Sequence, residues 1–217
     1  MNRSFFLVLE GPEGSGKTTL TAALAPRFQA SGHNPLLVRE PGGTPAAEAL
    51  RHELLHADRR WTPERELLYI VTARADLVGQ VIRPALDAGR VVVSDRYDLS
   101  TLAYQAAGRG LPLPMVSWVN HAATGGLEPD LTLIIDLPAG LGVARQIAAG
   151  KALDRLDREP IEFHERVAAR YWAEHGPGVV HLDGALPSTV LADRAWEAVI
   201  AVRPEFGAVP AVQGAGT

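Results

Sequence analysis

Near its N-terminus the chain reads Gly11-Pro12-Glu13-Gly14-Ser15-Gly16-Lys17-Thr18, a complete G-x-x-x-x-G-K-[ST] loop, followed by Thr19. Its flanks are the ones the motif requires. Phe5-Phe6-Leu7-Val8-Leu9-Glu10 is a short apolar run of the kind that forms a parallel strand buried on both faces. From Thr18 to Ala30, Leu20, Leu24 and Phe28 recur at four-residue spacing and mark one buried helix face, with Pro26 expected to kink the helix or open its last turn. In such a strand, loop and helix the glycines let backbone N–H groups curl around phosphate oxygens, and the helix N-terminus adds partial positive charge. Lys17 can then reach the β- and γ-phosphates of a nucleotide, and Thr18 can ligate Mg²⁺.

The rest of the chain alternates in the same way. Further strand-like runs are Leu36-Leu37-Val38, Val91-Val92-Val93, Leu131 to Ile135 and Val179 to Leu182. Pro63 to Ala88 has helical periodicity, with Leu67, Ile70 or Val71, Leu77, Val78, Val81 and Ile82 inward, a bend near Pro84, and Gly89 as the stop. Strands alternating with helices predict an α/β sandwich on a parallel sheet, with ligands outside the carboxyl ends of the strands. The 217 residues fit one large domain or two small ones, and neither a repeat nor a long linker divides them. Residues 1–204 are therefore read as a single domain. From residue 205 to 217 the chain loses periodicity, fills with Gly, Ala and Pro, and is read as a loose tail.

Composition narrows the function classes. A net charge of −4 offers no strongly basic field for a nucleic-acid polymer. The absence of Cys removes thiolate chemistry and disulfides and suits a reducing compartment, so the cytoplasm is the expected location. No apolar run approaches a membrane span, and the first residues lack a secretory cleavage pattern. The seven His residues show no metal-ligand spacing. Of 21 basic residues only Lys17 and Lys151 are lysine, and both follow glycine, so the Asn-Lys-x-Asp guanine reader of GTPases is absent.

Val91-Val92-Val93-Ser94-Asp95-Arg96-Tyr97 is a strand ending in a carboxylate, which sheet topology should bring beside the phosphate loop. Asp95 can hold Mg²⁺, through water, and Arg96 can fork onto a second phosphate.

At this point the chain resembles the bacterial thymidylate kinase family over nearly its whole length, to about Pro204. Its blocks are the loop Glu10 to Thr19, Arg39-Glu40-Pro41-Gly42-Gly43-Thr44, Asp95 to Gln105 with Gly108-Arg109-Gly110, and Leu153-Asp154-Arg155-Leu156-Asp157. The resemblance implies the P-loop NTPase fold with a five-stranded parallel sheet, a homodimer, and transfer of the ATP γ-phosphoryl group to dTMP with Mg²⁺. By the same resemblance Gly11, Pro12, Glu13, Gly14, Ser15, Gly16, Lys17, Thr18 and Thr19 would bind ATP phosphates. Arg96 would hold the dTMP phosphate, Arg74 the O4 side of thymine, and Thr101 its N3. Glu13 would lie near the 3′-hydroxyl, and Tyr104 under the sugar at C2′. Ile70 stands where the family usually carries a Phe that stacks on the base, and shares the helix face of Arg74. A mobile lid over about residues 142–158 would cover the γ-phosphate. With Gly at position 14, the chain resembles the subgroup that supplies catalytic cations from the lid, here Lys151 and Arg155 with Arg145 behind them. A kinase of another monophosphate or small metabolite, or a catalytically silent nucleotide-binding protein, are the alternatives left open.

Overall fold

Strand β1 (Phe5–Glu10) is buried along its whole length, which only a position in the middle of a covered sheet allows. The computed structural model describes residues 4–56, 61–150 and 152–207. In it β1 pairs in parallel with β3 (Val91–Asp95) on one side and β4 (Leu131–Asp136) on the other. Strand β2 (Leu36–Arg39) adds outside β3 and β5 (Val179–Asp183) outside β4, giving a five-stranded parallel sheet of order β2-β3-β1-β4-β5. The sheet expected from the alternating pattern is present.

Helix α1 (Lys17–Ala30) follows the phosphate loop, and α2 (Pro45–His56) follows β2. Helix α3 (Pro63–Leu77) opens on a Thr62 hydroxyl that accepts from the Arg65 amide, with Pro63 at its first turn. It runs through a π-helical turn at Val78–Ile82 into α4 (Arg83–Asp87). The wide turn sits directly before Pro84, which lacks the N–H that a regular turn would use. Helix α5 (Asp98–Thr101) passes into a second π-helical stretch, Leu102–Gly108, and α6 (Leu113–Thr124) follows. The last third supplies α7 (Ala139–Ala148), α8 (Ile161–Trp172) and α9 (Ser188–Val202).

Alternate residues of the strands feed two cores. Phe5, Leu7 and Leu9 face Leu24 and Phe28 of α1 and Val199 of α9, whereas Phe6 and Val8 face Leu77, Val78 and Ile82. Pro26 does not end α1, which continues to Ala30 because Leu24 and Phe28 on either side of it are fully buried. Val81, expected inward, is only half-buried beside the second core.

The start of the expected tail is also different. Pro204–Gly207 forms a 3₁₀ turn that carries Phe206 into the first core, edge-on to Phe5 at 5.3 Å and to Phe28 at 5.2 Å. A Gly- and Pro-rich composition hid this anchor; residues 208–217 of the expected tail lie outside the described residues. Phe206→Ala should therefore destabilise the domain by about 3 to 5 kcal/mol, read as a lower urea midpoint with an unchanged slope. A midpoint equal to that of the unmodified protein would mean that Phe206 contributes nothing to the core.

Candidate active site

The phosphate loop leaves β1 at Gly11 and enters α1 at Lys17, with Gly16 in a left-handed conformation as the N-cap. Gly14 has φ +71° and packs so closely on the first turns of α7 that an added Cβ would lie 2.3 Å from the Gly142 carbonyl oxygen. The reverse also holds, since a Cβ on Gly142 would lie 2.2 Å from the Glu13 carbonyl oxygen. The loop and α7 can touch only as glycine on glycine. Gly142, the expected beginning of the lid, is thus packed against the loop itself.

Lys17 folds back into this loop, its Nζ donating to the Gly11 and Pro12 carbonyls at 2.9 and 2.8 Å and to Ser15 Oγ at 3.2 Å. Burial lowers its pKa to about 8, with the charge of Arg96 adding to the effect and Glu13 and Asp95 opposing it. Beside it Thr18 Oγ1 donates to Asp95 Oδ2 at 2.6 Å.

Beside the loop stands Arg96, whose Nη1 donates at 3.3 Å to the same Gly11 carbonyl that Lys17 uses, and which is the one non-glycine residue with positive φ, +78°, among the described residues. Such a backbone costs on the order of 1 to 3 kcal/mol and needs bracing. Its amide donates to the Leu9 carbonyl at 2.9 Å. The next residues are gripped by the fully buried Glu10, whose carboxylate accepts from the Tyr97 amide (2.8 Å), the Ser100 amide (3.0 Å), Ser100 Oγ (2.6 Å) and Tyr171 Oη (3.0 Å). Burial raises the Glu10 pKa, and the charge of Arg96 and these donors oppose the rise. The Arg96 guanidinium pairs with Glu13, takes Tyr104 Oη at 3.1 Å and Tyr171 Oη at 3.2 Å, and lies 5.0 Å above the Tyr104 ring.

Lys17 and Arg96 both line a cleft of about 880 Å³, large enough for a nucleotide-sized ligand. Of the residues singled out by sequence, Glu13, Gly14, Gly16, Lys17, Thr18, Thr19, Ile70, Asp95, Arg96 and Tyr104 line it. Gly11, Pro12 and Ser15 are not on the lining and serve within the loop as the acceptors of Lys17. Arg74 and Thr101 are not on the lining: they are 1% and 0% exposed and sit behind it. Arg74 donates to Glu40 Oε2 (2.7 Å), Thr101 Oγ1 (2.7 Å), Asn120 Oδ1 (2.6 Å) and the Tyr97 carbonyl (2.8 Å), so its fork is spent on bracing the wall. Burial lifts the Glu40 pKa to about 7, against the pull of the Arg74 charge.

Arg155 also turns away from the cleft. It donates to the Leu54 carbonyl at 3.0 Å and to Glu66 Oε2 at 2.7 Å, so this conformation uses it to tie its segment to α3. Lys151 lies outside the described residues. Arg145 does line the cleft, with its guanidinium donating to the Gly184 carbonyl at 2.8 Å.

The residues that sequence reasoning did not place include Arg51, Ser100 and Gln105, all on the lining. Ser100 and Gln105 stand inside a block already recognised, but a helical projection misplaces Gln105 because it belongs to a π-helical stretch. Arg51, on α2, donates to the Pro41 carbonyl at 2.8 Å and carried no motif signal.

The Thr18 hydroxyl and Asp95 carboxylate place hard oxygen donors side by side next to the loop, and no group of three or more His, Cys, Asp or Glu gathers among the described residues. That donor set fits Mg²⁺, which favours a carboxylate completed by water and substrate phosphates over an all-protein cage.

A lysine-bearing phosphate loop with a braced arginine beside it on one cleft supplies the paired cations that a P-loop phosphotransferase requires. The family model for thymidylate kinase matches residues 9–194. A thymidylate kinase of Thermomicrobium roseum is 46% identical over 202 residues, covering 92% of this chain and 96% of its own. One from a Synechococcus species is 52% identical over 162 residues, 75% of this chain and 76% of its own. The crystal structure of a thymidylate kinase from Ehrlichia chaffeensis superposes with a TM-score of 0.75 at 26% identity, covering 91% of this chain and 99% of that one. The chain belongs to the thymidylate kinase family and is an enzyme that phosphorylates dTMP.

Because Lys17 is cationic only below its pKa of about 8, kcat/KM measured on the free enzyme should fall as pH rises through about 8. A bound polyphosphate stabilises the charged form, so the corresponding fall in kcat should move to higher pH. A pH profile of both parameters checks this, and a kcat/KM that stays flat from about pH 7 to 10 would contradict it.

Proposed function

We propose that the chain transfers the γ-phosphoryl group of Mg²⁺-bound ATP to dTMP, with Lys17 working on the donor side and Arg96 on the acceptor side. The observation that carries this reading is the pair of cations Lys17 and Arg96 on one cleft, each held by hydrogen bonds and both donating to the Gly11 carbonyl. Phosphoryl transfer needs alignment and charge neutralisation more than covalent help. Thr18 and Asp95 would hold the metal, which when bound shields the charge on the donor phosphates. The acceptor phosphate is itself the nucleophile and is largely dianionic at neutral pH, so no general base is required. Arg96, fixed in direction by Glu13 and Tyr104, is presented to that phosphate. The Tyr104 ring beneath it leaves little room for a 2′-hydroxyl.

The base would rest where Ile70, Leu54, Leu55 and Leu156 make the lining apolar and Gln105 supplies a polar edge. Arg74 and Thr101 would act on the base through that wall unless its residues move. The lid, about residues 142–158, would bring Lys151 and Arg155 to the γ-phosphate only by releasing Arg155 from Glu66.

The reading extends to assembly and location. Helices α3 and α6 pack on each other through Leu67, Val71 and Val116, while Leu68 and Trp118, 58% and 71% exposed, face outward. Exposed apolar groups of this size support a homodimer formed through these helices. Sedimentation velocity should show a dimer that Trp118→Asp shifts toward monomer; a monomeric unmodified protein would exclude it. A Cys-free chain with no described helix able to cross a membrane fits the cytoplasm, where cell fractionation should find it.

The activity itself is tested by ADP release over a panel of dTMP, dUMP, dCMP and dGMP at fixed Mg²⁺ and ATP. dTMP should be preferred, and Arg96→Ala should lower kcat/KM for dTMP by the equivalent of about 2 to 5 kcal/mol while largely sparing ATP affinity. If Arg96→Ala loses ATP and keeps dTMP, the donor and acceptor sides are reversed.

A further inference from the structure

A second buried carboxylate lies behind the cleft, outside the phosphate machinery. Glu66, one helical turn before Ile70 on α3, is 1% exposed. Its Oε1 accepts from Gln105 Nε2 at 2.8 Å and Arg109 Nε at 3.1 Å, and its Oε2 from Arg109 at 3.0 Å and Arg155 at 2.7 Å. Burial alone would raise its pKa, but hydrogen bonds and charge from Arg109, with Gln105 and Arg155, hold it below the usual value. An ionised carboxylate between two guanidinium groups can only accept hydrogen bonds. The atom of Gln105 that faces it must then be the amide nitrogen.

Gln105 also lines the cleft, and its side chain has one other polar atom, the carbonyl oxygen. We propose that Glu66 is a positioning residue that fixes the polarity of Gln105, turning an acceptor toward the base so that a pyrimidine with a ring N3–H is taken and one with an unprotonated N3 is refused. This rests on the reading that the apolar part of the cleft holds the dTMP base. Thymine carries N3–H, whereas cytosine presents a lone pair there, and two opposed acceptors in a dry pocket repel. An amide without Glu66 could turn over and serve either base; held by Glu66 it cannot. Sites that hydrogen-bond a substrate group discriminate in this way because the wrong partner leaves a buried polar group unpaired.

The test compares kcat/KM for dTMP and dCMP. In Glu66→Gln the side chain at 66 can donate as well as accept, so the preference for dTMP over dCMP should narrow by roughly tenfold or more, mainly through the ratio of the two KM values, whereas any change in kcat from a loosened Arg155 would apply to both substrates alike. Gln105→Met keeps the volume and removes the amide, so it should narrow the ratio similarly, and adding Glu66→Gln to it should change the ratio no further. An unchanged ratio in folded Glu66→Gln, or a further narrowing in the double variant, would show that Glu66 does not act through Gln105. Should Glu66→Gln fail to fold, an unchanged ratio in Gln105→Met overturns the proposal by itself. If instead the unmodified protein fails to prefer dTMP over dCMP, it is the assignment of the base site that falls.

Discussion

The carboxylate of Glu10 is the constraint from which the site is built. It sits at the end of the central strand, fully buried, and closes hydrogen bonds to two backbone amides and two hydroxyls around the turn that follows β3. Those bonds hold the chain where Arg96 must adopt a left-handed backbone, and the guanidinium lies against the phosphate loop at the Gly11 carbonyl. An unpaired carboxylate at this depth would be very costly, so the pairing is close to obligatory. One interaction thereby joins the strand that launches the phosphate loop to the strand that ends at Asp95 and the arginine that follows it.

Similar logic recurs around the cleft. Glu13 holds Arg96, Glu40 holds Arg74, and Glu66 holds Arg109 and Arg155. Buried ion pairs of this kind add little net stability, because desolvation cancels most of the attraction. What they supply is direction: each arginine fork has its orientation settled by a carboxylate. This is also the physical meaning of a composition in which arginine does nearly all the cationic work and lysine is left for the phosphate loop and for position 151.

Legibility in the sequence followed the length scale of each feature. The phosphate loop, Asp95 and Arg96 were readable because their chemistry depends on adjacent residues and on a strand ending, both of which a linear pattern carries. The parallel sheet was readable from apolar runs. The wall behind the base was not. Whether Arg74 faces the ligand or braces the lining depends on Glu40, Thr101 and Asn120, which come from three separate segments. Gln105 was obscured by a π-helical stretch that shifts every side chain from its ordinary helical angle. Phe206 was obscured by its Gly- and Pro-rich surroundings, although a single aromatic residue suffices to fasten a short turn to a core.

The bonds around Arg96 also explain how its charge is kept in place. Its Nη1 donates to the Gly11 carbonyl, Ser100 Oγ and Tyr171 Oη, and its Nη2 to Glu13 and Tyr104 Oη, so the fork is held on both sides. A guanidinium held in this way would need little reorganisation on meeting a phosphate. Glu13, which also accepts from Tyr104 Oη at 3.1 Å, would then share Arg96 with a second anion, and a further donor would offset the repulsion. A sugar hydroxyl beside the phosphate would be such a donor. A ligand that offers a phosphate and a hydroxyl together would meet both members of the Arg96–Glu13 pair.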